Sequence, residues 1–323
     1  MDKPPKTAPG LVDHGVSVLN AWLGSYLEQR GNGLAEPLAF VVAGRATDPE
    51  ALPAPENGRV CVLVHGLMCN EGIFTFEGAD GVSTDYGRAL EQAIGYLPLY
   101  IRYNTGAAIH DNGARLASLL ERYVTHNVGS IASLVLIGHS MGGLLLRSAC
   151  DHGVSSQQHW PAYVRHVFYL GSPHRGAPLE QFTHLASQVL GHFDTTATRV
   201  VRDVLNSRSD GIKDLRTGNL HKRADTVAGS EAGLDLLPIP PWLPHAKHHC
   251  ILGQAFVAAS FLGDGVVWPG SASAGAGSGR PPQESPAVSM DVRALPGLNH
   301  LALARNPAVL AQIEQCLKEE DHG

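Results

Sequence analysis

The residues best placed to do chemistry are Gly138-His139-Ser140-Met141-Gly142, set between the apolar run Leu134–Ile137 and a helix-like segment that opens at Met141. A serine in a sharp strand-to-helix turn needs small residues two positions to either side, because a Cβ there would collide with adjoining backbone. Gly138 and Gly142 meet that need. The Ser140 hydroxyl would then stand over a helix N-terminus, where negative charge is favoured. Such a nucleophile is inert without a base to take its proton and donors to hold a developing oxyanion. His65-Gly66-Leu67 ends the apolar run Val60–Val64, so the backbone amides of Leu67 and Met141 are the expected oxyanion hole.

Position singles out one base among the 17 histidines. His300 follows Leu295-Pro-Gly-Leu-Asn, just past the last strand-like run and ahead of the final helix-like one. His139 is expected to point into the fold and to be structural. The base needs an acid to orient it, and Asp264, flanked by Gly263 and Gly265 after the run His248–Gln254, is the expected partner. Asp235 and Asp291 are weaker choices, the first in a long insert and the second within a strand. The chain order Ser140, Asp264, His300 is the one an elbow serine on a parallel sheet requires.

The elements that must position these residues alternate. Short apolar runs at Val60–Val64, Leu97–Tyr103, Leu134–Ile137, Val164–Leu170, His248–Leu252 and Val288–Leu295 read as strands, most of them buried on both faces. Amphipathic stretches at Leu11–Arg30, Thr84–Gly95, Asp111–His126, Met141–Cys150 and Asn306–Lys318 read as helices, and Pro37–Gly44 as an early strand. Strand and helix in alternation predict an α/β fold, a mostly parallel central sheet with helices on both faces and its sites at the strands' C-terminal edge. The rhythm breaks after Leu170. The insert, residues 178–246, is expected to be a helical cap with helix-like pieces at Phe182–Gly191 and Thr198–Asn206, within a single domain spanning 1–323. Gly270–Pro286 is small, polar and Gly/Pro-rich and reads as a surface loop.

Composition narrows the partners. The 323 residues are 44% hydrophobic and 17% charged, with a formal net charge of −6 and scattered basic residues, so nucleic acid is not an expected partner. No apolar run is long enough for a signal h-region or a transmembrane helix, and a cytoplasmic location is the expectation. The five cysteines show no CxxC spacing and read as small core residues. His245, His248 and His249 hint at a metal cluster, but adjacent strand residues point to opposite faces and no carboxylate or cysteine completes the set at useful spacing. No metal and no cofactor are expected.

Val64-His-Gly-Leu67, Gly138-His-Ser-Met-Gly-Gly143, Gly171-Ser-Pro-His-Arg-Gly-Ala177, Gly263-Asp-Gly-Val-Val267 and Asn299-His-Leu301, in that order, resemble the lipase/esterase branch of the α/β-hydrolase superfamily. Within it the chain is similar to bacterial relatives of the GPI inositol-deacylases and of triacylglycerol lipases. Tyr103-Asn-Thr-Gly106 with Asn112-Gly113, and Ser209–Leu215, fit the same branch. The resemblance spans about Val60 to Leu310 and leaves the first 50 residues outside. It implies hydrolysis of a carboxylic ester through an acyl-enzyme, with Ser140 as nucleophile, Asp264 and His300 as its partners and the Leu67 and Met141 amides as donors. The expected substrate is a small-molecule ester or lipid. His65, Pro173, His174 and Trp242 are the expected binding residues: Pro173 and His174 lie in a fixed loop beside the nucleophile, and Trp242 belongs to the cap's apolar run Leu234–Leu243, which could line an acyl mouth or touch a membrane. An acyltransferase on the same triad and a non-catalytic binding protein are the alternatives.

Overall fold

A computed structural model of the chain describes residues 11–32, 34–78, 80–176, 210–217, 220, 242–254, 264, 267, 272 and 288–320. The two helix-like pieces expected in the cap, and the Gly270–Pro286 loop apart from Ala272, lie outside the described residues.

Helix α1 spans Leu11–Gln29 and is followed by strands β1 (Ala39–Val42), β2 (Arg45–Thr47) and β3 (Arg59–Val64). A small pair, β4 (Thr75–Glu77) and β5 (Ser83–Asp85), precedes α2 (Tyr86–Ile94) and β6 (Leu97–Arg102). Then come α3 (Ile109–His126), β7 (Ser133–His139), α4 (Met141–Ser155) and β8 (Val164–Leu170). Helix α5 (Asp210–Thr217), β9 (Lys247–Gln254), β10 (Met290–Pro296) and α6 (Pro307–Glu320) complete the described elements.

The central sheet runs β10-β9-β8-β7-β3-β6-β1-β2. From β10 to β6 every neighbouring pair is parallel, and β1 and β2 add an antiparallel edge. This is the mostly parallel sheet that strand–helix alternation predicts. Strand alternation divides the core between its faces. Val60, Val62 and Val64 of β3, with Leu134 and Leu136 of β7, pack with Leu116 and Leu120 of α3 and Leu145 of α4. Cys61 and Leu63, with Val135 and Ile137, pack instead with Leu90 of α2 and Val309 and Ile313 of α6. Fully buried strands need apolar residues at both parities, hence the continuous runs.

One expectation is corrected. The segment read as a helix over Thr84–Gly95 begins as strand β5, and the helix starts only at Tyr86, where the Asp85 carboxylate accepts from the Arg88 amide at 3.1 Å and caps it. The run Pro37–Gly44 holds the expected early strand, β1, and a partner strand follows it at once. Ala43 and Gly44 both take positive φ, 50° and 78°, and turn β1 straight into β2 in the manner of a two-residue hairpin.

Candidate active site

Strands β3, β7, β8 and β9 deliver their C-terminal ends to one rim, with Val64 level with Gly138 and His139 with Leu170. Ser140 is the next residue after β7 and adopts φ 53°, ψ −123°. A non-glycine residue in this region is strained, and its neighbours show what holds it there. The Ser140 amide donates to the Leu170 carbonyl at 2.9 Å. A Cβ on Gly142 would stand 2.3 Å from the Val64 carbonyl oxygen, and one on Gly138 2.6 Å from the Gly143 Cα. Both glycines are therefore obligatory for the turn.

His300 and Asp264 meet at the same rim. His300 Nδ1 lies 2.7 Å from Asp264 Oδ2, with the two side chains 0% and 2% exposed. A carboxylate only accepts, so Nδ1–H donates and Nε2 is left on the far side of the ring from the acid. The pair is fixed by backbone: the His300 amide donates to the Asp264 carbonyl at 3.0 Å, and the Val267 amide donates to Asp264 Oδ1 at 2.8 Å. Ser140 Oγ and His300 Nε2 are both buried and have no hydrogen-bond partner among the described residues. The hydroxyl and the imidazole thus share the rim without a hydrogen bond between them.

His139 ties the two halves together. Its side chain points into the fold, as expected, with Nε2 3.0 Å from the His300 carbonyl and its ring 4.9 Å from the His300 ring. Burial and the neighbouring His300 hold its pKa down to about 3, so it stays neutral.

On the other side of Ser140 runs the loop that follows β3. A Cβ on Gly66 would sit 2.9 Å from the Ser140 Cβ, so only glycine brings this strand end so close. Leu67 is buried beside it, and its amide has no hydrogen-bond partner among the described residues. Met141, as the first residue of α4, has no preceding helical carbonyl for its own amide. His65 stacks on Tyr103 at 4.6 Å, and the Tyr103 hydroxyl donates to the His65 carbonyl at 2.9 Å. Burial lowers the His65 pKa to about 4, and its Nε2 is unpartnered.

The segment Tyr103–Asn112 is the frame beneath that loop. Asn112 Nδ2 donates to the Asn104 carbonyl at 2.8 Å, and the Gly211 amide of α5 donates to the Gly106 carbonyl at 3.1 Å. Helix α3 has no side-chain cap of its own, and Asp214 of α5 accepts from its first amide, that of Ile109, at 3.0 Å. Ser25 of α1 also donates to the Gly106 carbonyl, at 2.6 Å, so part of the first 50 residues supports the site.

Pro173, His174 and Trp242 are each buried. His174 and Trp242 pack edge to face at 5.2 Å, and between them lies Arg147 of α4, its guanidinium 4.0 Å over the Trp242 ring and Nη1 3.5 Å from His174 Nδ1. Sequence reasoning passed over Arg147. The signal was a lone cation after Leu144-Leu-Leu146, seven residues and so about two helical turns beyond Ser140. Gly171, which opens the block Gly171–Ala177, takes φ 62°, and a Cβ on it would stand 2.8 Å from Asp264 Oδ2 and 3.1 Å from His300 Nδ1. The three-histidine cluster disperses: His245 Nε2 lies 3.0 Å from the Pro161 carbonyl, His248 packs on Trp242, and His249 stacks on Phe168 from the opposite face.

A family model described as the PGAP1-like alpha/beta domain matches residues 69–248, more than half of the chain. The chain belongs to the PGAP1-like alpha/beta domain family. No curated protein matches this PGAP1-like chain in sequence. Among solved structures it is similar to the mature form of the Bacillus licheniformis lipase BlEst2, at 21% identity and a TM-score of 0.51, covering 84% of this chain and 96% of that one. The RedJ thioesterase of the prodiginine biosynthetic pathway in Streptomyces coelicolor is similar at 17% identity and a TM-score of 0.49, covering 88% and 98%. The PGAP1-like chain has the α/β-hydrolase fold. Among its described residues no helix is long and apolar enough to cross a membrane.

Proposed function

We propose that this protein is a serine hydrolase that cleaves carboxylic esters through an acyl-enzyme on Ser140. His300 Nε2 takes the Ser140 proton as Oγ attacks the ester carbonyl carbon, and the amides of Leu67 and Met141 hold the resulting oxyanion. The imidazolium then protonates the departing alcohol. Water, deprotonated by the same nitrogen, attacks the acyl carbon, and the imidazolium returns that proton to Ser140 Oγ as the acid leaves. Asp264 keeps the proton on Nδ1 throughout and stabilises the imidazolium. His65, Pro173, His174 and Trp242 belong to the walls of the substrate site, with residues 178–246 as the cap over it and an ester or lipid as substrate.

The observation that carries the reading is the buried 2.7 Å contact between His300 and Asp264, with His300 Nε2 and the hydroxyl of the strained Ser140 both buried and without a hydrogen-bond partner among the described residues. A fluorophosphonate probe tests it directly. Stoichiometric labelling is expected in the wild type and none in S140A, together with loss of p-nitrophenyl ester hydrolysis. A wild type that neither labels nor hydrolyses any ester in a panel of increasing acyl length would sink the proposal.

A further inference from the structure

The sheet carries a second cluster of chemically capable side chains, far from Ser140. His249 lies in the first half of β9, and five strand residues at about 3.3 Å each put it roughly 16 Å from the rim where β9 ends. The parallel register sets Asp291 of β10 directly beside it, and Cys316 of α6 packs over both. One ligand atom from each of the three, a histidine nitrogen, a carboxylate oxygen and a thiol sulfur, lie within 4.8 Å of one another. His249 Nδ1 and Asp291 Oδ2 are 3.7 Å apart, too long for a hydrogen bond. Two ligands of a tetrahedral ion with bonds of about 2.0–2.1 Å are separated by about 3.3 Å, so the two atoms are already near ligand spacing.

The state of His249 points the same way. Its side chain is 10% exposed and its Nδ1 has no hydrogen-bond partner, although it faces Asp291 and Cys316. Its other nitrogen is engaged, Nε2 lying 2.9 Å from His166 Nδ1. A ligating histidine is held in this way, one ring nitrogen fixed by a partner behind and the other aimed at the ion. Arg293 Nε donates to Asp291 Oδ2 at 2.6 Å, which orients the carboxylate and leaves it further lone pairs. Asp291 is 42% exposed on its side chain, so an ion can enter from solvent.

We propose that His249, Asp291 and Cys316 form a divalent transition-metal site, suited to zinc, that clamps the β9–β10 edge of the sheet to the closing helix. The mixed nitrogen, oxygen and thiolate donors select such an ion over magnesium or calcium. Water completes the coordination on the open side. Because β10 leads directly into the His300 loop, the clamp braces the rim without touching it. Histidine spacing along the chain could not reveal the site, since two of its three ligands come from other elements.

The test is a cobalt(II) titration of the untagged full chain after treatment with a chelator. One equivalent is expected to bind, with a thiolate-to-cobalt charge-transfer band in the near ultraviolet that zinc abolishes by displacement. C316A, checked for folding by circular dichroism, is expected to lose the band. D291N, at an exposed position where folding is safest, is expected to bind at least about tenfold more weakly. Absence of the band in the wild type, its persistence in C316A, or equal affinity in wild type and D291N would each overturn the site.

Discussion

The rim around Ser140 and the Tyr103–Asn112 frame treat buried polar atoms in opposite ways. At the rim, Ser140 Oγ, His300 Nε2, His65 Nε2 and His139 Nδ1 are all buried without a partner. In the frame, the Tyr103 hydroxyl, the Gly106 and Ile109 amides and Asn112 Nδ2 each have one, and Asn112 Oδ1 is the exception. An unsatisfied buried polar group costs roughly 1–3 kcal/mol, so a concentration of them marks where the protein holds groups ready for something that is not itself. Saturated bonding marks what holds them there. The rim should therefore govern rate and the frame stability.

The sharpest way to break that contrast is S140A. Ester hydrolysis is expected to fall by about 10⁴–10⁶-fold, with the thermal midpoint almost unchanged. A variant that kept its rate while losing stability would reverse the roles of the two regions. D264N should cost up to about 10⁴-fold in kcat, because an amide can stabilise the wrong His300 tautomer, while KM stays near the wild-type value. In the frame, D214A removes the acceptor of the Ile109 amide and should lower stability by about 1–3 kcal/mol in urea unfolding. Its kcat at low temperature should stay within about twofold; a large loss of rate without loss of stability would show that the frame is part of the chemistry.

The smallest effect concerns pH. His248 is paired at both nitrogens, Nε2 to the Leu243 carbonyl at 3.0 Å and Nδ1 to the Tyr169 hydroxyl at 3.2 Å, and burial depresses its pKa to about 4. The unfolded chain therefore binds a proton at this residue below about pH 6.5 that the folded chain refuses until about pH 4. Stability should rise with pH across that window and fall as acid is added. Each such histidine contributes a slope of about 1.4 kcal/mol per pH unit. H248Q should flatten the slope by one histidine's share. An unchanged slope in unfolding measurements between pH 4.5 and pH 6.5 would place the acid sensitivity elsewhere.

Legibility followed the range of the interaction. Strand β8, Val164–Leu170, was readable to the residue, because its second half, Val167–Leu170, is a continuous buried apolar run and only Arg165 is exposed. The elbow was readable because its steric demand falls on residues two positions away. Strand β5 was missed because a three-residue strand before a capped helix has no periodicity of its own. Arg147 was missed because its partners, His174 and Trp242, approach from segments far along the chain.

The amino-acid order by itself determined the alternation of elements, the glycine-bounded serine and the order of Ser140, Asp264 and His300, since each follows from local sterics or hydrophobic period. Only the tertiary structure decided that His300 and Asp264 are buried in contact, that Gly171 must lack a Cβ to admit them, and that His249, Asp291 and Cys316 converge. Those facts depend on which strands become neighbours and in what register. That is set by the packing of the whole core and is written in no single stretch of the chain.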